Sequence, residues 1–111
     1  MKITTRKTNG VTVLNLAGKL IIGGGDFELR GAVSEALDGG AKGILLNFAG
    51  VTGVDSTGIG ALVSSHMTVS NRDGKLKLVN LPSKVEDLLY ITQLITAFEV
   101  FDDEDEAVAS F

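Results

Sequence analysis

Hydrophobic and polar positions change their spacing several times along the chain, and each change marks a predicted element. Residues 3–7 and 11–16 show the alternation of β-strands. Asn9-Gly10 lies between them, and this pair favours a type I′ hairpin turn because both of its positions need positive φ. Residues 44–48 are apolar on both faces, apart from one Asn, which is typical of a central strand covered on two sides. We therefore expect an opening hairpin followed by a buried strand.

Two longer stretches have apolar residues three and four apart, as amphipathic helices do. We expect residues 18–25 to form a loop and Asp26 to cap the first helix, which Gly39-Gly40 would end. Phe27 belongs to the apolar face predicted for this helix. The second helix is predicted to run from residue 56 or 57 to about residue 71.

The apolar face of the second predicted helix contains Ile59, Leu62, Val63 and Met67. Shorter elements follow it: a strand at 76–80, a third helix after Pro82, an edge strand at 98–101 and a last helix at 103–110. In the third helix, Ser83 and Glu86 have the spacing of a capping box.

The element order predicts one α/β domain that occupies residues 1–111. Its core would be a mixed sheet of four or five strands with an N-terminal hairpin. About four helices would lie mainly on one face of that sheet.

Charge is unevenly distributed, although the net charge is only −4. Residues 102–106 are five consecutive acids, so the other 9 acids are balanced by 10 bases in the rest of the chain. A nearly neutral body lacks the basic face that nucleic-acid binding requires. Few aromatic residues, Tyr90 and five Phe, also argue against a base-stacking surface. We expect no direct nucleic-acid partner.

Cysteine is absent, which excludes disulfides, thiolate metal sites and a cysteine nucleophile and fits a reducing cytoplasm. No apolar run has the length of a membrane span or of a signal peptide. These features predict a cytoplasmic protein without a membrane segment or a metal site.

No group of residues has the composition of a catalytic site. His66 is the single histidine and is expected at a helix surface or boundary, because it lies too far along the helix to activate Ser56. Gly23-Gly24-Gly25 precedes a helix but lacks the spacing of a phosphate-binding motif. We therefore expect neither catalysis nor a cofactor, with a nucleotide-binding glycine loop as the least favoured alternative.

The segment that begins at Asp55-Ser56-Thr57-Gly58 follows the buried strand and opens the second helix. A hydroxyl at a helix start lies near unpaired N–H groups and the positive end of the helix dipole. A phosphate there would change the local charge without unfolding the chain. The same residues are also preferred helix caps, so capping alone is an open alternative.

In its order and spacing, nearly the whole chain resembles the STAS-domain family, specifically the stand-alone anti-sigma factor antagonists of bacteria. The signature Asp-Ser-Ser/Thr-Gly-Leu/Ile-Gly of that family is matched by residues 55–60. Further resemblance extends over residues 16–20, 44–51, 74–80, 88–94 and 98–102.

The resemblance implies a partner-switching cycle in which the protein is a substrate and not an enzyme. The unphosphorylated form would bind an anti-sigma factor serine kinase and so release the sigma factor. The kinase would then phosphorylate Ser56, and a PP2C-type phosphatase would reset it. The free protein is expected to be a monomer. The partner-binding residues carried over from the family are Asp55, Ser56, Thr57, Gly58, Ile59 and Gly60.

One departure from the family pattern qualifies this resemblance. Many family members have an acidic residue after the second strand, where this chain has Ile21. The alternative function within the same family is a non-catalytic scaffold subunit of a stressosome-like or lipid-transport complex. Gly58 and Gly60 would let a partner approach the backbone closely.

Overall fold

The chain begins with the predicted β-hairpin. In the computed structural model, which describes residues 1–111, β1 (Lys2–Thr8) pairs antiparallel with β2 (Val11–Leu20). Asn9 and Gly10 have φ values of 49° and 80°, the positive angles that the turn requires. The second strand is longer than predicted, because residues 18–20 pair with β3 instead of forming a loop.

Strands and helices then alternate along the rest of the chain. These elements are α1 (Gly25–Asp38), β3 (Gly43–Val54), α2 (Ser56–Asn71), β4 (Lys75–Val79), α3 (Ser83–Ile91), a 3₁₀ turn (Ile95–Ala97), β5 (Val100–Phe101) and α4 (Glu104–Ala109). The five strands form one sheet in the order β1-β2-β3-β4-β5. All neighbouring pairs are parallel except the opening hairpin, so the predicted mixed α/β sheet is confirmed.

The two faces of the sheet are covered unequally. Helices α1, α2 and α3 pack on one face over a core of 19 buried residues. Helix α4 packs on the other face over a cluster of six residues that includes Val13, Leu45 and Val79. Strands β2 and β3 are thus buried on both sides. The continuous apolar pattern predicted this for β3, whereas β2 was expected only to alternate.

The start of α1 differs from the prediction. The helix begins at Gly25 with Gly24 as its N-cap residue, and Asp26 lies in the first turn with only 4% of its surface exposed. The cause is close packing on β2: a Cβ at Gly25 would lie 2.3 Å from the carbonyl oxygen of Lys19. The Asp26 carboxylate instead accepts a hydrogen bond from the Gly24 N–H at 3.1 Å.

Three other local predictions are wrong. Phe27 and Met67 are 67% and 58% exposed, because helical spacing places them at the outer margin of their helices. The Ser83–Glu86 capping box does not form. Pro82 precedes the helix, and its carbonyl oxygen accepts the N–H groups of Val85 and Glu86 at 3.0 Å each.

A buried lysine fixes the C-terminal helix to the sheet. Lys77 of β4 is 2% exposed, and its ammonium donates to the carbonyl and hydroxyl oxygens of Ser110 at 2.8 and 2.9 Å. The same ammonium lies 3.3 Å from Glu99 and 4.7 Å from the ring centroid of Phe111. An ion pair between Arg6 and Glu104 adds a second attachment of α4.

A ladder of three asparagines crosses the parallel strands. Asn47 donates to the Asn15 side chain at 3.0 Å and accepts from Asn80 at 3.2 Å and from the Ala49 N–H at 3.1 Å. The ladder therefore ties β2 and β3 to the residue that follows β4.

At the edges of the sheet, the strands differ in length and charge. Strand β1 has seven residues, and its largely exposed sequence includes Lys2, Arg6 and Lys7. The opposite edge, β5, has only two residues.

Candidate functional site

The candidate site lies where β3 ends and α2 begins. Val54, the last residue of β3, pairs with Leu20, the last residue of β2. The Asp55 N–H donates to the Leu20 carbonyl at 3.3 Å, and α2 starts at the next residue. The start of the helix is therefore joined to the end of the neighbouring strand.

Asp55 caps α2 and also holds the segment before α1. One of its carboxylate oxygens accepts the Gly58 N–H at 2.8 Å, and the other accepts the Ile22 N–H at 3.0 Å. These backbone hydrogen bonds, that of Ile22 first, lower the pKa of Asp55 below its ordinary value because they favour the ionised carboxylate. Both oxygens are thus occupied, which fixes the position of the carboxylate.

Ser56 is the first residue of α2, and its side chain is exposed. The capping expected of this segment is confirmed for Asp55, which has extended backbone angles and accepts the N–H three residues later. Ser56 is not the cap. The side-chain hydrogen bonds of this corner involve Asp55 and leave the Ser56 hydroxyl unpaired. That hydroxyl is therefore accessible from outside the protein.

The other residues of the predicted partner-binding segment differ in exposure. Gly60 is exposed and Thr57 is half-buried, whereas Gly58 and Ile59 are buried. A Cβ at Gly58 would lie 2.0 Å from the carbonyl oxygen of Leu20, so glycine is needed there for packing on β2. A Cβ at Gly60 would meet nothing within 4 Å. The backbone is thus open to an approaching molecule at Gly60.

An apolar groove adjoins Ser56. It has a volume of about 410 Å³ and is lined by Ser56, Ile59, Gly60, Val63, Ser64, Met67, Thr92 and Leu94. The contribution of Thr92 and Leu94 was not predicted, because it depends on how the end of α3 packs beside α2. Tyr90 and Ile91, which precede Thr92 in the chain, are also largely exposed.

The glycine loop is poorly suited to hold a phosphate. The N–H of Gly24 already donates to the Asp26 carboxylate, and that buried carboxylate occupies the first turn of α1. A carboxylate at this position repels an anion that approaches the helix start. Ile21, at the position where an acid is expected in the family, is half-buried, and its carbonyl accepts the Asp26 N–H at 3.3 Å.

His66 is half-buried at the boundary of α2, as predicted. Its ring stacks edge-on against Phe98 with the centroids 5.1 Å apart. No three His, Cys, Asp or Glu side chains come together in a group that could hold a metal ion. Histidine in this position therefore contributes to packing.

Comparison with known proteins identifies the fold. The family model of the STAS domain matches residues 2–107. A candidate anti-sigma factor antagonist from Thermotoga maritima has a similar structure, with 25% identity, a TM-score of 0.88 and coverage of 97% of this chain and 92% of that one. The Bacillus cell fate determinant SpoIIAA in its phosphorylated form has 22% identity, a TM-score of 0.74 and coverage of 98% of both chains.

The same fold also occurs in a transport protein. A sulfate transporter family protein from Wolinella succinogenes has 24% identity and a TM-score of 0.79, over 93% of this chain and 85% of that one. No curated protein matches the chain by sequence. None of the helices described above combines the length and apolar character needed to cross a membrane.

Proposed function

Because the chain belongs to the STAS domain family, we propose that it is an anti-sigma factor antagonist controlled by phosphorylation of Ser56. The unphosphorylated protein binds an anti-sigma factor serine kinase, which then releases its sigma factor. The kinase transfers phosphate to Ser56 and loses its affinity for the product, and a PP2C-type phosphatase restores the first state. We expect a monomeric, non-catalytic protein that acts in the cytoplasm.

One observation carries this proposal: the capping function belongs to Asp55, and the Ser56 hydroxyl is exposed and unpaired. A serine that capped the helix would lose a stabilising hydrogen bond when phosphorylated. Here the hydroxyl can be modified without loss of the cap. SpoIIAA, to which this chain is similar, has been solved in both its unphosphorylated and its phosphorylated form.

The surroundings of Ser56 support a switch in binding. A phosphoserine adds about −1.5 to −2 charges at pH 7, and the positive end of the α2 dipole offsets part of this charge. The same charge would lie beside the Asp55 carboxylate and at the margin of the apolar groove. A partner seated on that groove would have to desolvate the phosphate, and a loss of about 3 kcal/mol would weaken binding roughly a hundredfold.

The exposed members of the segment define the proposed contact. Ser56 and Gly60 are accessible, and Asp55 and Thr57 are half-buried. Gly58 and Ile59 are buried, so they contribute to the contact indirectly, because their packing sets the position of the start of the helix. The contact roles of these six residues remain a prediction.

The first test is the intact mass of the protein isolated from its native cells, with fragmentation to locate any phosphate. We expect the mass of one phosphate on Ser56 in part of the population. Ser56→Ala should lose it, and the matched control Thr57→Ala should keep it. An unmodified protein under several growth conditions, even with phosphatases inhibited, would favour the scaffold subunit instead.

A second test separates binding from folding. The Ser56→Ala protein should retain the kinase in a stable complex, and Ser56→Glu should bind it about a hundredfold more weakly. Both variants should show the circular dichroism spectrum of the wild type. Tight binding of Ser56→Glu would contradict the proposal.

A further inference from the structure

Two segments on the side of the sheet covered by α1, α2 and α3 contain no charged residue. They are the whole of α2 (Ser56–Asn71) and residues 88–98, which run from the second half of α3 through the 3₁₀ turn. All 10 basic and 14 acidic residues lie elsewhere in the chain. At the overall fraction of 22% charged residues, which is ordinary for a soluble domain, a helix as long as α2 would contain about three.

The fold brings these two segments side by side. The ring of His66 on α2 stacks edge-on against Phe98, with the centroids 5.1 Å apart. The apolar groove beside Ser56 is lined by Thr92 and Leu94 of the second segment and by residues of α2. Those α2 residues recur three and four apart, which places them on one face of the helix: Ser56, Ile59, Gly60, Val63, Ser64 and Met67. No charged side chain lines the groove.

The composition of the groove is typical of the centre of a protein interface. Such centres are depleted of charged residues and enriched in methionine. Met67 is 58% exposed, and Val63 and Leu94 are half-buried. A single exposed methionine is ordinary, but this one joins other apolar side chains in a groove without charges. A charged surface would lose its hydration there without gaining an ion pair, so the groove fits an uncharged, apolar surface.

The position of Ser56 in the groove indicates which partner covers it. Ser56 and Met67 are the first and last α2 residues of the lining, eleven residues apart, which corresponds to about 16 Å along the helix. A molecule that acts on the Ser56 hydroxyl therefore stands at one end of a continuous apolar surface. We propose that the kinase that phosphorylates Ser56 docks an uncharged, apolar segment in this groove, against Val63, Met67 and Leu94. This inference rests on the proposed function and adds to it a contact remote from the reacting hydroxyl.

The length of the groove separates docking from phosphoryl transfer. At about 16 Å from Ser56, the side chain of Met67 does not touch the reacting atoms, so it contributes to the binding of the kinase and not to the chemical step. Its loss should therefore raise KM and leave kcat unchanged. Glutamate at this position would also set a charge against the apolar segment of the kinase, and that charge would have to be desolvated.

The test measures phosphorylation of the purified, unphosphorylated full-length protein by a clarified extract of its native cells with labelled ATP. Varying the protein concentration gives an apparent KM and a maximal rate, and Ser56→Ala shows how much of the label is on Ser56. We expect Met67→Glu to raise the KM about tenfold or more with a maximal rate within about twofold of the wild type, and Met67→Leu to restore most of the affinity.

Thr4→Glu is the matched control for the added charge. Thr4 is exposed on β1, two residues before Arg6, which pairs with Glu104 of α4, so both side chains lie on the sheet face opposite to α2. The Thr4→Glu protein should have the KM of the wild type. Because Met67 is largely exposed, Met67→Glu should keep the melting temperature of the wild type. If it does not, Met67→Gln, which has similar length and no charge, is compared instead and should raise the KM severalfold.

The outcomes separate this proposal from the proposed function. If the wild type takes up no label on Ser56, both are wrong. If the wild type is labelled and Met67→Glu has the same KM, or if Thr4→Glu raises the KM equally, only the docking surface is refuted. Sedimentation of the unphosphorylated protein tests the other occupant: a wild-type dimer that Met67→Glu dissociates would show that a second copy covers the groove, which would also overturn the proposal.

Discussion

Gly58 and Gly60 allow the same substitution to be made twice on one helix with opposite expected results. In each case alanine adds a single methyl group to α2 and gains up to about 1 kcal/mol of helix propensity. The surroundings differ, because a Cβ at Gly58 would lie 2.0 Å from the carbonyl oxygen of Leu20, whereas one at Gly60 meets nothing within 4 Å.

The contact at Gly58 is with backbone, which cannot rotate away as a flexible side chain can. The carbonyl carbon and Cγ of Leu20 would lie at 2.8 and 3.0 Å as well. Relief requires α2 to move away from β2, which strains the hydrogen bond from Asp55 to Leu20 and that from Ile22 to Asp55. Overpacking of this kind costs about 3 kcal/mol or more. After the gain in helix propensity is subtracted, we expect Gly58→Ala to lower the free energy of unfolding by about 2 kcal/mol.

Urea unfolding followed by circular dichroism measures both variants against the wild type. Gly58→Ala should lower the free energy of unfolding by about 2 kcal/mol, or the melting temperature by roughly 8 °C for a domain of this size. Gly60→Ala should be as stable as the wild type or more so. If the two variants were equally stable within about 0.5 kcal/mol, the close approach of α2 to Leu20 would be refuted.

Three further predictions concern single side chains. The folded pKa of Asp55 lies below its ordinary 3.8, so the ionised carboxylate stabilises the fold above that pH, and this stabilisation is lost as the pH falls through the folded pKa. Asp55→Asn should therefore reduce the difference in unfolding free energy between urea titrations at pH 7 and pH 3. An unchanged difference would contradict the assigned hydrogen bonds. Lys77→Met keeps the buried aliphatic part of the side chain and should change the unfolding free energy by less than about 1 kcal/mol. Lys77→Ala should lower the unfolding free energy by roughly 2 kcal/mol or more and make proteolysis of α4 faster. Equal stability of the two variants would count against the packing role. Asn47→Ala should cost about 2 kcal/mol through its lost hydrogen bonds, and the milder Asn15→Ala, which removes one of them, serves as its control in the same denaturation assay.

The sequence predicted those parts of the fold that depend on neighbouring residues. The hairpin follows from the φ preferences of Asn9-Gly10, and the two-sided burial of β3 follows from its continuous apolar pattern. Helix starts were less predictable. Asp26 has the chemistry of a cap, but the helix begins one residue earlier at Gly25, where the close contact with Lys19 leaves room only for glycine. A capping preference read from sequence contains no information about that contact.

The candidate site shows the same division. The position of Ser56 at a helix start could be predicted, because the buried strand and the amphipathic pattern meet there. The division of roles between Asp55 and Ser56 could not, since it depends on the Ile22 N–H, which is 33 residues away in the chain. The burial of Lys77 was equally hidden, because aromatic rings from the last strand and the C-terminus surround a residue that its charge would place on the surface.

The edges of the sheet have a consequence for behaviour at high concentration. A strand from a second molecule could extend the sheet only along β1, because β5 offers just two residues. That strand would have to pair beside Lys2 and Lys7, whose hydration it would disturb, and a second β1 would bring the same two positive charges close to them. Growth of the sheet from chain to chain is therefore opposed at both ends, which protects the protein against fibrous aggregation while its helical face stays free to bind.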